Sequence, residues 1–366
     1  MKRRAFFRTT VNGSIGTMLG LSALSNFNCK SNEREMPKRI FGRTNLNVSL
    51  MGFGCVHVKD KAVYQRAVEL GINYFHLGDI DPTYNLDACS ALLPYRKELI
   101  IAYMSHPKAS RTLLLEDLDN FLRQSKLGYL DLWFVITPTG EVLNEFSEAV
   151  NIAGKAGKIR FGAMTTHNLN QDYEIITAPG SVTDVVMVVH NYLSPADMTD
   201  KIEGLHNAGL GIIPMKPLAG KFFEDDLKTP ASMLRWLAAD SRMHSIPVNM
   251  TSTAQVEQNV ASIKTTLTRE DQNLLQSMLS YNSSRFCRMC GYCQGKCPGK
   301  LSVPDLIRTS MYMEGYSDLR LASLNFLSVP AENRQISCDE CVNCSISCPN
   351  GVAVRERIIV AKELLV

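Results

Sequence analysis

Eight of the 11 cysteines stand in two short runs: Cys287, Cys290, Cys293 and Cys297 followed by Pro298, and Cys338, Cys341, Cys344 and Cys348 followed by Pro349. Both read CxxCxxCxxxCP. Three thiolates spaced by two residues wrap one face of an iron–sulfur cubane, while the fourth, carried beyond a turn by the proline, reaches the other cluster of a pair. The spacing predicts two 4Fe-4S clusters, one on Cys287, Cys290, Cys293 and Cys348 and the other on Cys338, Cys341, Cys344 and Cys297. Four-thiolate zinc sites also use CxxC pairs, but a third cysteine two residues on and the trailing Cys-Pro fit zinc poorly. Only Cys29, Cys55 and Cys89 lie elsewhere, so the clustering reads as metal ligation rather than a disulfide framework.

Upstream of these runs the chain alternates short apolar stretches with helical ones. Eight strands are predicted: Val48 to Gly54, Tyr74 to Gly78, Leu99 to Met104, Leu130 to Ile136, Ile159 to Thr165, Asp184 to Asn191, Leu210 to Lys216, and Ser245 to Thr251. Each precedes a stretch long enough for a helix. In Ser110 to Ser125, for example, Leu113, Leu114, Leu118, Phe121 and Leu122 form one apolar stripe. Eight strand–helix repeats predict a closed (β/α)8 TIM barrel. An open doubly wound sheet would want GxGxxG after its first strand, and none follows. Beyond residue 281 the pattern stops, leaving a small, mainly helical ferredoxin-like domain. In the connector between the cysteine runs, Ser302 and Pro304 mark a helix start, and Leu306, Ile307, Met311 and Met313 supply apolar shielding.

The 366 residues, 45% hydrophobic, suffice for a barrel and a smaller domain. A net charge of +3 offers no field that argues for nucleic acid. Lys2, Arg3 and Arg4, then Phe6 and Phe7, precede a weakly apolar stretch from Val11 to Leu24. This start resembles a twin-arginine export signal, a route that moves folded proteins with their metal centres in place. The apolar run is shorter than the roughly twenty residues a membrane span needs. The alternatives are a disordered basic amino terminus in a cytoplasmic chain, or a membrane anchor through Cys29, whose preceding Asn28 matches a lipidation site poorly. The domain expectation is 1–35 signal and linker, 36–281 barrel, and 282–366 cluster domain.

The barrel region resembles the aldo/keto reductases along nearly its whole length. The likeness is carried, in order, by Lys38-Arg39-Ile40-Phe41-Gly42-Arg43-Thr44, Gly71-Ile72-Asn73-Tyr74-Phe75, Tyr129-Leu130-Asp131-Leu132, Gly157-Lys158-Ile159-Arg160 and Met215-Lys216-Pro217-Leu218-Ala219-Gly220. Some bacterial members carry a comparable carboxy-terminal module, and the long connector here resembles the helical ferredoxins of respiratory enzymes. The resemblance implies a tyrosine proton donor, a lysine and an aspartate that tune it, and a histidine beside a nicotinamide. Here the aspartate position falls on His76, the tyrosine on Asp81, the lysine on Met104 and the histidine on Ile136. Tyr84 lies three residues past the tyrosine position. The position that would stack on nicotinamide falls on His190, and two basic positions for the adenosine phosphate fall on Asn249 and Gln255; Asn259 is retained.

Barrel sites form at the carboxyl ends of strands. This mouth gathers His57, His76, His106, His167 and His190, with Asp79, Asp81, Tyr84, Thr137, Asn191 and Lys216 nearby. They read as a replacement acid/base site led by His76 and Asp81, as an additional metal site, or as polar loops of a barrel without activity. Lys216 would in the plainest case pair with a carboxylate. Phe75, Trp133 and Trp236 read as core. Three functions follow: an iron–sulfur oxidoreductase that passes single electrons between an unidentified protein donor or acceptor and an unidentified small molecule at the mouth; an NADPH-dependent reductase; or a non-enzymatic binding or assembly protein with structural clusters.

Overall fold

The computed structural model describes residues 35–365 apart from 80, 106–109, 137–140, 197, 221–227, 285, 294, 336–337 and 342–343. The export-signal reading, Cys29, His106 and Thr137 therefore lie outside the described residues. Glu35–Val366 form one compact unit. Among the described residues no helix is long and apolar enough to cross a membrane.

A hairpin of β1 (Lys38–Ile40) and β2 (Asn47–Ser49) precedes the barrel. The predicted first strand thus divides. Ser49 turns its backbone N–H to Asn73 Oδ1 (2.7 Å) and its hydroxyl to the Met51 carbonyl (2.7 Å), breaking the run before the first barrel strand begins. Eight parallel strands follow: β3 (Met51–Gly54), β4 (Tyr74–Leu77), β5 (Ile100–Met104), β6 (Leu130–Ile136), β7 (Ile159–Thr166), β8 (Val185–Val189), β9 (Gly211–Met215) and β10 (Ile246–Asn249). They are ordered β10-β3-β4-β5-β6-β7-β8-β9. Each strand agrees with its predicted counterpart to within a few residues, the first excepted.

The seam between β9 and β10 is closed by His244, just ahead of β10. Its backbone N–H donates to the Ile212 carbonyl (3.0 Å), and its Nδ1 accepts from the Ile212 N–H (2.9 Å). Alternation along the strands sends one set of side chains inward, where Tyr74, Ile100, Ala102, Leu132, Phe134, Ala163, Val185, Met187 and Ile213 pack on one another. Phe41, Leu46 and Val48 from the hairpin plug the bottom. The opposite set packs on the surrounding helices α1 (Lys61–Glu69), α2 (Pro82–Leu92), α3 (Arg111–Ser125), α4 (Glu141–Lys155), α5 (Leu169–Thr177), α6 (Met198–Asn207), α7 (Lys228–Ala239) and α8 (Thr253–Ile263). Phe75 and Trp133 belong to this outer layer as fully buried core.

After α9 (Arg269–Asn282) come α10 (Val303–Glu314), α11 (Leu319–Ser328) and α12 (Val354–Leu365). Ser302 stands at the N-cap position of α10 and Pro304 in its first turn, as predicted. Leu306, Ile307, Met311 and Met313 are buried. They join one apolar cluster with Val189, Leu193, Ala219 and Met233 of the barrel, which is how the two parts become a single body.

Burial holds His76, His190 and His244 neutral, each pushed down to about 4. The unfolded chain takes up these protons below about pH 6.5, which the fold refuses until about pH 4. Stability is therefore full above pH 6.5 and falls as pH drops toward 4. Urea midpoints followed by near-ultraviolet circular dichroism across that range should decline steadily; a flat profile would mean these rings are solvated.

Candidate functional site

The two cysteine runs cross. Gly295, at φ +92°, lies so close beneath Ser345 that a Cβ there would stand 1.9 Å from the Ser345 carbonyl oxygen, a place only glycine can occupy. Ser345 Oγ in turn donates to the Lys296 carbonyl (2.6 Å). This crossing delivers Cys348 to the first run and Cys297 to the second. Cys348 lines one cavity with Cys287, Cys290 and Cys293, and Cys297 and Cys338 pack against one apolar cluster. Among the described residues no three His, Cys, Asp or Glu side chains are gathered closely enough for a single metal ion. The first four thiols instead line the wall of a cavity of about 420 Å3.

Burial pushes the Cys287 thiol up to about 12 and raises Cys290 and Cys293, and a bound cation would oppose that shift by favouring the thiolates. Iron in a cluster fits this donor set. Asn350 Nδ2 donates to Cys290 Sγ (3.3 Å), and its own carbonyl oxygen accepts from Arg288 (3.1 Å). Cys287 and Cys290 are buried, whereas Cys341 and Cys344 of the second set are exposed.

The barrel side of this cavity is formed by Ile136 at the end of β6, by His167 and Asn168 between β7 and α5, and by Gln171 and Asp172 in the first turn of α5. Asn170 Nδ2 reaches the Cys290 carbonyl (2.6 Å), and Gly291 packs directly on the Asn168 amide. The ends of β6 and β7 and the first cysteine set therefore border one cavity.

His76 and Asp81, read from sequence as a pair, have other partners. His76 points into the barrel, with Nδ1 3.1 Å from the Tyr74 hydroxyl and its ring edge-on to Phe134 at 4.9 Å. Asp81 caps α2, accepting from the Thr83 N–H (3.0 Å) and hydroxyl (2.7 Å). The Thr83 hydroxyl above all lowers its pKa. Tyr84 stands beside His57, ring centroids 5.1 Å apart, with Lys59 over its face. Buried Asp79 accepts from the His57 and Asp81 N–H groups (2.8 and 2.9 Å).

His190 faces away from the mouth. Its ring lies 5.2 Å from Trp236 on α7, and neither ring nitrogen has a partner among the described residues. The strand alternation that sends Val189 inward sends His190 outward, so it is no nicotinamide platform. Asn191 Nδ2 supports the Lys216 carbonyl (3.0 Å). Gln255 accepts from the Thr251 N–H (2.7 Å) ahead of α8, and Asn259 is half-buried on that helix.

Lys216 carries the largest surprise. Among the described residues it pairs with no carboxylate; Nζ donates to Tyr312 Oη (3.0 Å) on α10 and lies 3.2 Å from His167 Nε2. On the opposite rim, Arg320 of α11 donates to His57 Nε2 (2.8 Å) and stands 3.7 Å from Asp81. Tyr316 covers Gly220. The cluster domain thus spans the mouth from the β3–β4 loops to the end of β9. Tyr312, Arg320 and Arg308 were not singled out from sequence, and only their position on an amphipathic connector beside the cysteines could have raised them.

Residues 55–233 match the aldo/keto reductase family and residues 286–353 match the 4Fe-4S dicluster domain. L-galactose dehydrogenase of Arabidopsis thaliana is 25% identical over 281 residues, 62% of this chain and 87% of that protein. L-glyceraldehyde 3-phosphate reductase of Escherichia coli K12 is 25% identical over 241 residues, 57% of this chain and 68% of the relative. Among solved structures, the holo form of a Bacillus halodurans aldo-keto reductase superposes with a TM-score of 0.58 at 21% identity, covering 67% of this chain and 96% of that one. A Klebsiella pneumoniae aldo-keto reductase in complex with NADPH gives 0.57 at 18% identity, covering 67% and 95%. The chain therefore joins an aldo/keto reductase (β/α)8 barrel to a carboxy-terminal 4Fe-4S dicluster domain.

Proposed function

We propose that the protein is an iron–sulfur oxidoreductase in which two 4Fe-4S clusters carry single electrons between an external carrier and a small molecule held at the barrel mouth. The observation that carries this reading is the shared cavity, walled on one side by Cys287, Cys290, Cys293 and Cys348 and on the other by barrel residues His167, Gln171 and Asp172. The clusters, when bound, supply one-electron transfer. The protein residues enclose the inner cluster, present polar groups to its neighbour in the cavity, and leave Cys341 and Cys344 at the surface for a redox partner.

A hydride mechanism of the usual aldo/keto reductase kind is not part of this reading. Met104 and Ile136 carry neither proton nor charge, and Asp81 is committed to capping α2. Asn249 and Gln255 offer no cation to a nucleotide phosphate. The relatives named as dehydrogenase and reductase support the oxidoreductase class, and a twin-arginine-like start supports delivery to the periplasm as part of the same proposal.

Anaerobic titration of the assembled protein with NADPH and then dithionite, followed by visible absorbance and electron paramagnetic resonance, tests the proposal. Dithionite should reduce both clusters and NADPH neither. Reduction by NADPH would transfer the protein to the nicotinamide-dependent reductases. Clusters that resist both reductants, and whose removal unfolds the domain, would mark them as structural.

The Asn350 amide adds a prediction about the inner cluster. A hydrogen bond to a ligand sulfur favours the more negative, reduced state and raises the potential. In a redox titration, Asn350→Ala should lower one midpoint and leave the other in place; two unchanged midpoints would show that the amide has no hold on Cys290.

A further inference from the structure

Lys216 has three Nζ protons and three acceptors: Tyr312 Oη at 3.0 Å, His167 Nε2 at 3.2 Å and Met215 Sδ at 3.5 Å. An ammonium only donates, so the imidazole accepts at Nε2 and, when neutral, carries its proton on Nδ1. Burial, and then the charges of Lys216 and Arg308, press His167 toward that neutral form. His167 lines the cavity shared with the first cysteine set. Among the described residues no group accepts from its Nδ1.

Asp305 is paired with Arg308 (2.7 Å) and Asp172 accepts from the Thr166 hydroxyl (2.5 Å), while Arg288 in the cavity wall and Lys216 behind His167 have no carboxylate among the described residues. Lys216 also holds φ at +54°, a conformation a residue with a Cβ adopts at a cost and retains where its position matters. Cations at the wall and behind one neutral imidazole donor match an anion with a planar oxygen pair.

We propose that His167 donates from Nδ1 to an oxygen of a small carboxylate-bearing molecule in this cavity. Lys216 is the positioning residue that fixes the tautomer and supplies the countercharge, and Tyr312 holds Lys216 from the cluster domain. The inference rests on the reading of the cavity as the ligand site, and it names the class of molecule that site takes.

The test is anaerobic calorimetry of the assembled full-length protein with pyruvate as the carboxylate probe and acetone as its uncharged counterpart. Pyruvate should bind saturably and acetone should not. His167→Phe and Lys216→Met should each weaken pyruvate by about tenfold or more, the loss of one charge-assisted hydrogen bond. Lys216→Arg should keep most of the affinity, which a merely structural role for the side chain would not require. Absence of pyruvate binding, or equal affinity in wild type and His167→Phe, overturns the inference. So does a Lys216→Met variant that shifts the cluster signals yet binds pyruvate normally, since the lysine would then serve the cluster's charge alone. Dithionite reduction of the same samples keeps the two readings apart: reducible clusters without pyruvate binding defeat only this inference, and irreducible clusters defeat the electron-carrier reading.

Discussion

The seating of α10 on the barrel is the contact on which the rest depends. Leu306, Ile307, Met311 and Met313 form one apolar cluster with Val189, Leu193, Ala219 and Met233, the last strand ends and flanking segments of the barrel. Each buried aliphatic side chain is worth about 1.5–3 kcal/mol, enough in sum to hold the cluster domain against the mouth without a covalent tie. With α10 fixed, the first cysteine run lies along the β7–α5 loop and the start of α5, where Asn168 and Asn170 meet it. The cavity is the space left between these surfaces.

That seat also determines the electrostatics. Burial at His76, and burial with the charges of Lys216 and Arg308 at His167, make the neutral imidazole the favoured form. The polar contacts that cross the interface connect strand-end residues to cluster-domain residues: Lys216 to Tyr312 at one rim, His57 to Arg320 at the other. Cys287 and Cys290 are buried toward the barrel, whereas Cys341 and Cys344 of the second run are exposed to solvent.

The architecture was largely legible in the chain because its signals are local. Strand–helix alternation gave the barrel, and the two CxxCxxCxxxCP runs gave the 4Fe-4S character of the carboxy-terminal domain. The candidate site at the mouth was not. Listing residues at strand ends could not tell which way a side chain turns, so His190 and His167 looked alike although one packs on Trp236 and the other lines the cavity. Asp81 looked like an acid but lies one residue ahead of a proline-started helix, where capping claims a carboxylate first. Lys216 looked destined for a carboxylate because its tyrosine partner lies 96 positions away, across the junction of the two domains. Contacts between domains leave no local pattern to read.

The barrel mouth and the first cysteine set border one cavity and close on each other through the α10 seat. Hydrogen–deuterium exchange of the full-length protein, with clusters loaded and with clusters removed, tests it most directly. Removal should speed exchange of amides in residues 164–172 and 212–220, which border the cavity and the α10 seat, while α3 on a remote face keeps its protection. Unchanged exchange in both mouth segments would contradict the account, because the cluster domain would then lie on the barrel without closing over it.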